Sequence, residues 1–297
     1  MVRPLRPQRI GFIGLGMMGT PMVLCLAKAG FDVFVADTDE ARVAALSVGE
    51  RVQPLHADDA ASLDVLITML PNSAIVEHVL LGEGDSWSTR LQRGATVIDM
   101  SSSEPARSRA LGATLGDAGL DYLDAPVSGG VKKATDGSLA ILVGGEAAVL
   151  ERVRPVLDAM GKSVLHIGAA GAGHAAKALN NYVSAAGLVA TVEALQVARR
   201  FGIDPATMTD VLNASTGRSN TSENKVRQFM LSGTFASGFA LQLMNKDLKI
   251  ARALAESLDY PMELGETCTA MWDRAAQHST PTTDHTEMYR LLSGEAS

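Results

Sequence analysis

Aromatic side chains are scarce in this chain, at 4% of 297 residues, and cysteines number only two. Cys25 and Cys268 lie far apart without metal-ligand spacing, which excludes a disulfide framework or a thiolate zinc site. Cys25 falls inside an apolar helical pattern and reads as a small core residue. An excess of positive charge is also missing: 26 basic residues against 33 acidic ones give a formal charge of −7. That balance argues against nucleic acid or an anionic membrane surface as the main partner. Among the histidines, His56, His78, His166, His278 and His285 form no metal-like pair, so no metal site is expected. The stretch from Met1 to Arg9 lacks the apolar core of a signal peptide. The nearest approach to a membrane span, Tyr182 to Ala198, is made mostly of small residues and contains Glu193 and Gln196. It reads as a buried helix rather than a span. No repeat or low-complexity segment is found, and a cytoplasmic location is expected.

What the chain does have is glycine, 28 residues of it, and a 46% apolar fraction, as suits α/β units with tight strand-to-helix turns. Its length allows two modest domains, expected at 1–168 and 169–297. The apolar run Arg9 to Ile13 ends in Gly14-Leu-Gly16-Met17-Met18-Gly19. A helical pattern from Thr20 to Lys28 follows, and then a strand from Phe31 that ends in Asp37. This order of strand, glycine turn, helix, strand and acid marks a dinucleotide site. The first glycine permits the turn, the second admits the pyrophosphate to the backbone, and the third lets helix and strand pack. The helix N-terminus adds N–H donors and the positive end of its dipole. Asp37 is placed to accept from both ribose hydroxyls and to repel a 2′-phosphate, which favours NAD and leaves NADP as the alternative. The Met17-Met18 pair is expected near the nicotinamide.

Further apolar runs at Asp64 to Leu70, Ala95 to Asp99, Asp121 to Pro126, Leu139 to Val143 and Ser163 to Ile167 complete a parallel sheet. Leu70-Pro71 and Ser101-Ser102 then fall at the carboxyl edge where the cofactor lies. After Gly168 only helices are expected: Ala175 to Arg200, Pro205 to Ser215, Glu223 to Ser232, Leu241 to Leu258 and Glu263 to Gln277. The fold class is therefore α/β, a Rossmann-type doubly wound sheet followed by an all-helical domain. The first of these helices is apolar nearly all round, so it is expected to be covered partly by a second subunit in a homodimer or homotetramer.

The stretch Gly171 to Asn181 carries the most chemistry. Gly173, Lys177 and Asn181 stack on one helix face, with Asn180 and His174 each three residues from the lysine. A lysine held by neutral amides suits proton transfer better than a structural ion pair does. It also sits at the seam of the two expected domains, where substrates are commonly bound. His174 is read as a neutral residue packed at the helix start, with no catalytic role. Ser128-Gly129-Gly130 offers a hydroxyl and consecutive bare N–H groups to an anion.

With Gly14-x-Gly16-x-x-Gly19, Asp124 to Gly130, Gly171 to Asn181 and Lys246-Asp247-Leu248 all in order, the chain resembles the β-hydroxyacid dehydrogenases from about Ile10 to Ala253. The resemblance implies Lys177 as the catalytic acid/base. It implies Ser128, Gly129, Gly130 and Asn181 as substrate contacts. It implies cofactor contacts from Gly14 to Asp37 and at Leu70, Pro71, Ser102 and Lys246. Asp247 is read as a helix-face ion-pair partner. The expected substrate is a small anionic hydroxy acid or semialdehyde. A strongly anionic one, dicarboxylic or sulfonated, would be met at its distal end by Lys132, Lys133 or Arg218, with Arg218 the first choice. Lys177 argues against imine reduction, and the helical half is too short for a 6-phosphogluconate-type decarboxylating enzyme. A non-catalytic scaffold would be expected to lose Lys177 or Ser128, and both are present.

Overall fold

The computed structural model describes residues 9–47, 49–82 and 86–293. The stretch read as lacking a signal peptide falls outside these residues, apart from Arg9. The chain divides into two compact units, Met1–Lys177 and Ala178–Ser297.

The first unit is built on strands β1 (Arg9–Ile13), β2 (Asp32–Ala36), β3 (Val52–Pro54), β4 (Val65–Thr68), β5 (Thr96–Asp99), β6 (Asp121–Asp124), β7 (Val127–Ser128), β8 (Leu139–Gly145) and β9 (Gly161–Gly168). Its helices are α1 (Gly19–Lys28), α2 (Glu40–Leu46), α3 (Ser73–Leu81), α4 (Trp87–Arg90), α5 (Pro105–Asp117), α6 (Gly130–Thr135) and α7 (Ala147–Asp158). The sheet order is β3-β2-β1-β4-β5-β6-β8-β7, with β9 pairing β8. The first six strands are parallel, and Phe12 sits opposite Val35 on one side and Ile67 on the other. Strand order reverses at β1, so the carboxyl ends of β1 and β4 flank a crevice.

The sheet differs from the expected parallel one at its far edge, where β8 runs antiparallel to β6 and β7. The reason is the link between β7 and β8, Gly129 to Ser138, which includes only the short α6 and is too short for a parallel crossover. Alternate side chains of each strand serve opposite faces. Val33, Val35, Val65, Ile67 and Ile98 join Met22, Leu26, Val153 and Leu157, of α1 and α7, in one core. Phe34, Leu66 and Val97 join Val76, Leu80, Leu111 and Leu115, of α3 and α5, in the other. Each such buried aliphatic or aromatic side chain contributes roughly 1.5–3 kcal/mol.

Helix α8 (Ala172–Phe201) starts in the first unit and continues into the second. There it is joined by α9 (Pro205–Ala214), α10 (Asn220–Asn224), α11 (Leu241–Glu256), α12 (Glu263–Gln277) and α13 (Met288–Leu291). Leu188, Val192 and Leu195 of α8, at helical spacing, pack with Leu241, Met244 and Leu248 of α11 and Cys268 and Trp272 of α12. The single helix expected over Glu223 to Ser232 is divided. After α10 the chain breaks at Lys225, with φ −120° and ψ −40°, and resumes as a π-helical turn over Val226–Leu231. No described helix is long and apolar enough to cross a membrane.

Candidate active site

The glycine turn after β1 is bare for two different reasons. A side chain on Gly14 would strike Met69 O, and one on Gly19 would strike Gly14 O, so strand, turn and α1 close on one another. Gly16 has nothing within 4 Å of where a Cβ would lie and no positive φ. The chain itself therefore gives no reason for that glycine, and its open backbone suits the close approach of a pyrophosphate. No side chain caps α1, and its first turn holds no acidic residue. The residues present fit a dinucleotide.

Asp37, at the end of β2, turns toward this loop. Its Oδ2 accepts from Leu15 N at 2.6 Å and its Oδ1 from Asp39 N at 2.9 Å. Arg42 lies 3.9 Å from Asp37 Oδ2 and 3.2 Å from Asp39 Oδ2. Both oxygens thus brace the turn, leaving each less lone-pair capacity for a ribose than a bare carboxylate has. Met17 is exposed, while Met18 packs against the core of the first unit rather than standing free in the turn. Met18 is the N-cap residue of α1, the last position before the helix.

At the carboxyl ends of β4, β5 and β6 lies a buried polar network that the sequence reading missed. Asp99, 1% exposed, accepts from Thr68 Oγ1 at 3.0 Å, Ser101 N at 3.0 Å and Ser103 Oγ at 2.8 Å. Ser101 Oγ accepts from Leu70 N at 2.9 Å, which fixes the Leu70-Pro71 edge against the Ser101-Ser102 loop. Asp124 is fully buried and accepts from Gly171 N at 2.7 Å and His174 N at 2.8 Å. A carboxylate thereby satisfies two orphan donors at the start of α8 and faces the positive end of its dipole. A Cβ on Gly173 would collide with Leu142 O, so the first turn of α8 lies flush against β8. The sequence signal was faint: an acid at a strand end followed by hydroxyls two and four residues on.

One turn later, Lys177 Nζ donates to Val127 O at 3.0 Å. This acceptor is a main-chain carbonyl of β7, where the sequence pointed to the side-chain amides of Asn180 and Asn181. Those amides have bonds of their own: Asn180 Nδ2 donates to Asn181 Oδ1 at 3.1 Å, and Asn181 Nδ2 to Asp247 Oδ2 at 2.6 Å. Asp247 is buried on α11, so it holds the Asn181 amide rather than standing only as a helix-face charge beside Lys246. Ser128 follows Val127 directly and leads into Gly129 and Gly130, with φ of +134° and +67°. Gly130 opens on empty space, whereas a Cβ on Gly129 would meet Lys133 Cδ at 2.5 Å. The alkyl chain of Lys133 therefore runs back across Gly129, while Lys132 is simply exposed. Arg218, the first choice for a distal anion, is 61% exposed and paired with Glu223 at 2.7 Å. Among the described residues no cluster could hold a metal ion.

Comparisons with known proteins show which family the chain resembles along its length. Residues 9–168 match the family model described as the NAD binding domain of 6-phosphogluconate dehydrogenase. Residues 171–292 match that described as NAD-binding of NADP-dependent 3-hydroxyisobutyrate dehydrogenase. The chain is 39% identical to 2-(hydroxymethyl)glutarate dehydrogenase of Eubacterium barkeri, over 89% of its own length and 88% of that protein's. It is 34% identical to 2-hydroxy-3-oxopropionate reductase of Escherichia coli, covering 96% and 97% of the two chains. Among solved structures, 3-hydroxyisobutyrate dehydrogenase of Mycobacterium tuberculosis, with L-serine, superposes with a TM-score of 0.89 at 32% identity, covering 97% of this chain and 99% of that one. An imine reductase from Myxococcus stipitatus, at 20% identity and a TM-score of 0.66, shares the fold alone. Sequence motifs, sheet order and relatives converge: the chain belongs to the β-hydroxyacid dehydrogenase family, NAD(P)-dependent enzymes acting on small hydroxy acids.

Proposed function

We propose that this enzyme interconverts a small 3-hydroxy acid and its semialdehyde, with Lys177 as general acid/base. The observation that carries this reading is the 3.0 Å contact from Lys177 Nζ to Val127 O, which sets the ammonium one residue before Ser128-Gly-Gly. Ser128 and the N–H groups of Gly129 and Gly130 hold the substrate carboxylate, and Asn181, one turn beyond Lys177, orients the substrate. Lys177 takes the hydroxyl proton during oxidation and returns one to the forming alkoxide during reduction. Bound NAD(P) supplies the hydride acceptor or donor, held by Gly14, Gly16, Gly19, the Asp37 strand end, Leu70, Pro71, Ser102 and Lys246. Asp37 favours NAD, because its carboxylate would repel a 2′-phosphate. We assign residues 1–168 to cofactor binding and 169–297 to substrate binding and self-association. Leu179, Val183, Val197 and Phe201 are exposed on α8 and fall within a stripe of roughly 40° at 100° per residue, which supports a homodimer or homotetramer.

Lys177→Ala is expected to lower kcat by about 10³-fold while leaving NADH binding nearly unchanged. Steady-state rates with NADH and NADPH, beside a fluorescence titration, test it. Activity within tenfold of wild type would remove the lysine from the mechanism.

A second reading, a dicarboxylic or sulfonated substrate, is favoured by the Lys133 chain lying across Gly129. Arg218 is less suited, its charge being met by Glu223. The Eubacterium barkeri relative is named for a dicarboxylic hydroxy acid. Lys133→Ala should lower kcat/KM about tenfold for 2-(hydroxymethyl)glutarate and leave 3-hydroxyisobutyrate within twofold, the size of one exposed charge contact. An equal effect on both substrates would make Lys133 structural.

A further inference from the structure

His174 is buried at 1% exposure, three residues ahead of Lys177, and every polar atom it has is engaged. Its main-chain N–H donates to Asp124 Oδ2 at 2.8 Å. Its ring Nε2 lies 3.1 Å from Ser101 O, and its Nδ1 lies 2.8 Å from Ser108 Oγ. A carbonyl oxygen only accepts, so Nε2 carries a proton, while Nδ1 meets the Ser108 hydroxyl, which also lies 3.1 Å from Glu104 O. The ring thus ties the first turn of α8 to α5 on one side and to the loop after β5 on the other.

The loop residue it grips is the one that sets the cofactor edge. Ser101 Oγ receives Leu70 N at 2.9 Å, and Ser101 N donates to Asp99 Oδ1 at 3.0 Å. Residues three apart on a helix share a face, so a tilt of the turn bearing His174 carries Lys177 with it. A misplacement of about 1 Å in a reacting group can cost about 100-fold in rate. We propose that His174 is a positioning residue: through Ser101 it fixes the proton-transfer lysine relative to the Leu70 and Ser102 edge where the cofactor lies. This rests on Lys177 being the acid/base. His174 itself touches neither substrate nor cofactor.

The test is a mutant cycle on the full chain, with kcat, KM and the NADH dissociation constant measured for each variant. His174→Leu should lower kcat by about 100-fold. It should leave the NADH dissociation constant within about threefold, because the anchor of the glycine turn is untouched. His174→Gln, whose side-chain N–H can still reach Ser101 O, should recover most of the loss. The double variant His174→Leu/Lys177→Ala should be no slower than Lys177→Ala alone, assayed at high enzyme concentration, because His174 acts only through the lysine. Multiplicative losses in the double variant, or His174→Leu within threefold of wild type, would overturn the proposal. Should His174→Leu fail to fold, Ser108→Ala removes the Nδ1 partner together with the Ser108 contact to Glu104 O, and leaves the Nε2 contact to Ser101 in place. Its several-fold loss in kcat must then vanish in the Lys177→Ala background, and persistence there counts against His174 equally. Full activity in Lys177→Ala is a different outcome and sinks the acid/base reading instead.

Discussion

The two units differ in how much buried polarity they leave unpaired. In the first, the deeply buried carboxylates of Asp99 and Asp124 are each met by donors from the loops and helix start around them. Their charge reaches the neighbouring Tyr122, whose phenol is pushed well above its usual value by burial first and then by the two carboxylates. In the second, buried Gln196 Oε1, Asn213 Oδ1, Asn245 Oδ1, Arg252 Nε and His285 Nε2 have no hydrogen-bond partner, against Arg9 Nε and the Tyr122 hydroxyl in the first. Lys225 is also driven by burial from 10.5 down to about 8, although Asp284 opposes the shift. One carboxylate in that unit, Asp284, resembles those of the first. Burial raises its pKa, yet hydrogen bonds from His285, Thr286 and Ser237 hold it well below the usual range. A satisfied network rigidifies its surroundings, while an unpartnered polar atom costs stability. The first unit thus concentrates its buried charge in a satisfied network at the carboxyl ends of β4, β5 and β6. The second is held mainly by apolar packing and leaves more of its buried polar atoms unpaired.

The sharpest way to break that contrast is to remove the centre of the first network. Asp99→Ala strips the acceptor from Thr68, Ser101 and Ser103 at once. Leaving these buried donors unmet is expected to cost roughly 3–5 kcal/mol, visible as a lower urea midpoint. A loss below 1 kcal/mol would mean that the network is replaceable and that the distinction between the units is not energetic.

Much of the architecture was legible, and the parts that were not share a cause. Glu263 to Gln277 and Arg9 to Ile13 occupy the spans their periodicity indicates, because local pattern and burial agree there. The glycine turn was legible too, since Gly14 and Gly19 answer local steric demands and Gly16 leaves the backbone open. Asp124 was not: it is 47 and 50 residues from the two N–H groups it receives, and no spacing rule joins a strand end to a helix that far along. His174 was placed correctly as a packed residue at the helix start. What escaped was its reach to Ser101, 73 residues away. The break at Lys225 was hidden because its sequence context is helical throughout, and only tertiary burial distinguishes it. Arg218 looked available until Glu223, five residues on, was found against it.

Lys225 provides the converse experiment, a polar group of the second unit whose removal should help. Its Nζ has a long 3.5 Å contact to Ser184 Oγ, too weak to offset desolvation of the ammonium. The fall from 10.5 to about 8 corresponds to ~3 kcal/mol as an upper bound. Partial exposure and screening bring this nearer ~2 kcal/mol. The sign follows from proton counting. Below about pH 8 the lysine is charged in both folded and unfolded chains, and the folded state carries the whole burial penalty. Between about 8 and 10.5 the unfolded chain binds more protons, so wild-type stability gains with rising pH from this group. Above 10.5 the side chain is neutral in both states and the penalty is gone. Lys225→Met, similar in length and apolar, should therefore be more stable than wild type by ~2 kcal/mol at pH 7, with that advantage shrinking toward zero by pH 10.5. Paired thermal melts at pH 7 and pH 10 measure the difference while the titrations common to both proteins cancel. An advantage that does not change with pH would come from packing alone, and a Lys225→Met chain less stable at pH 7 would mean that the ammonium is held by contacts stronger than its burial.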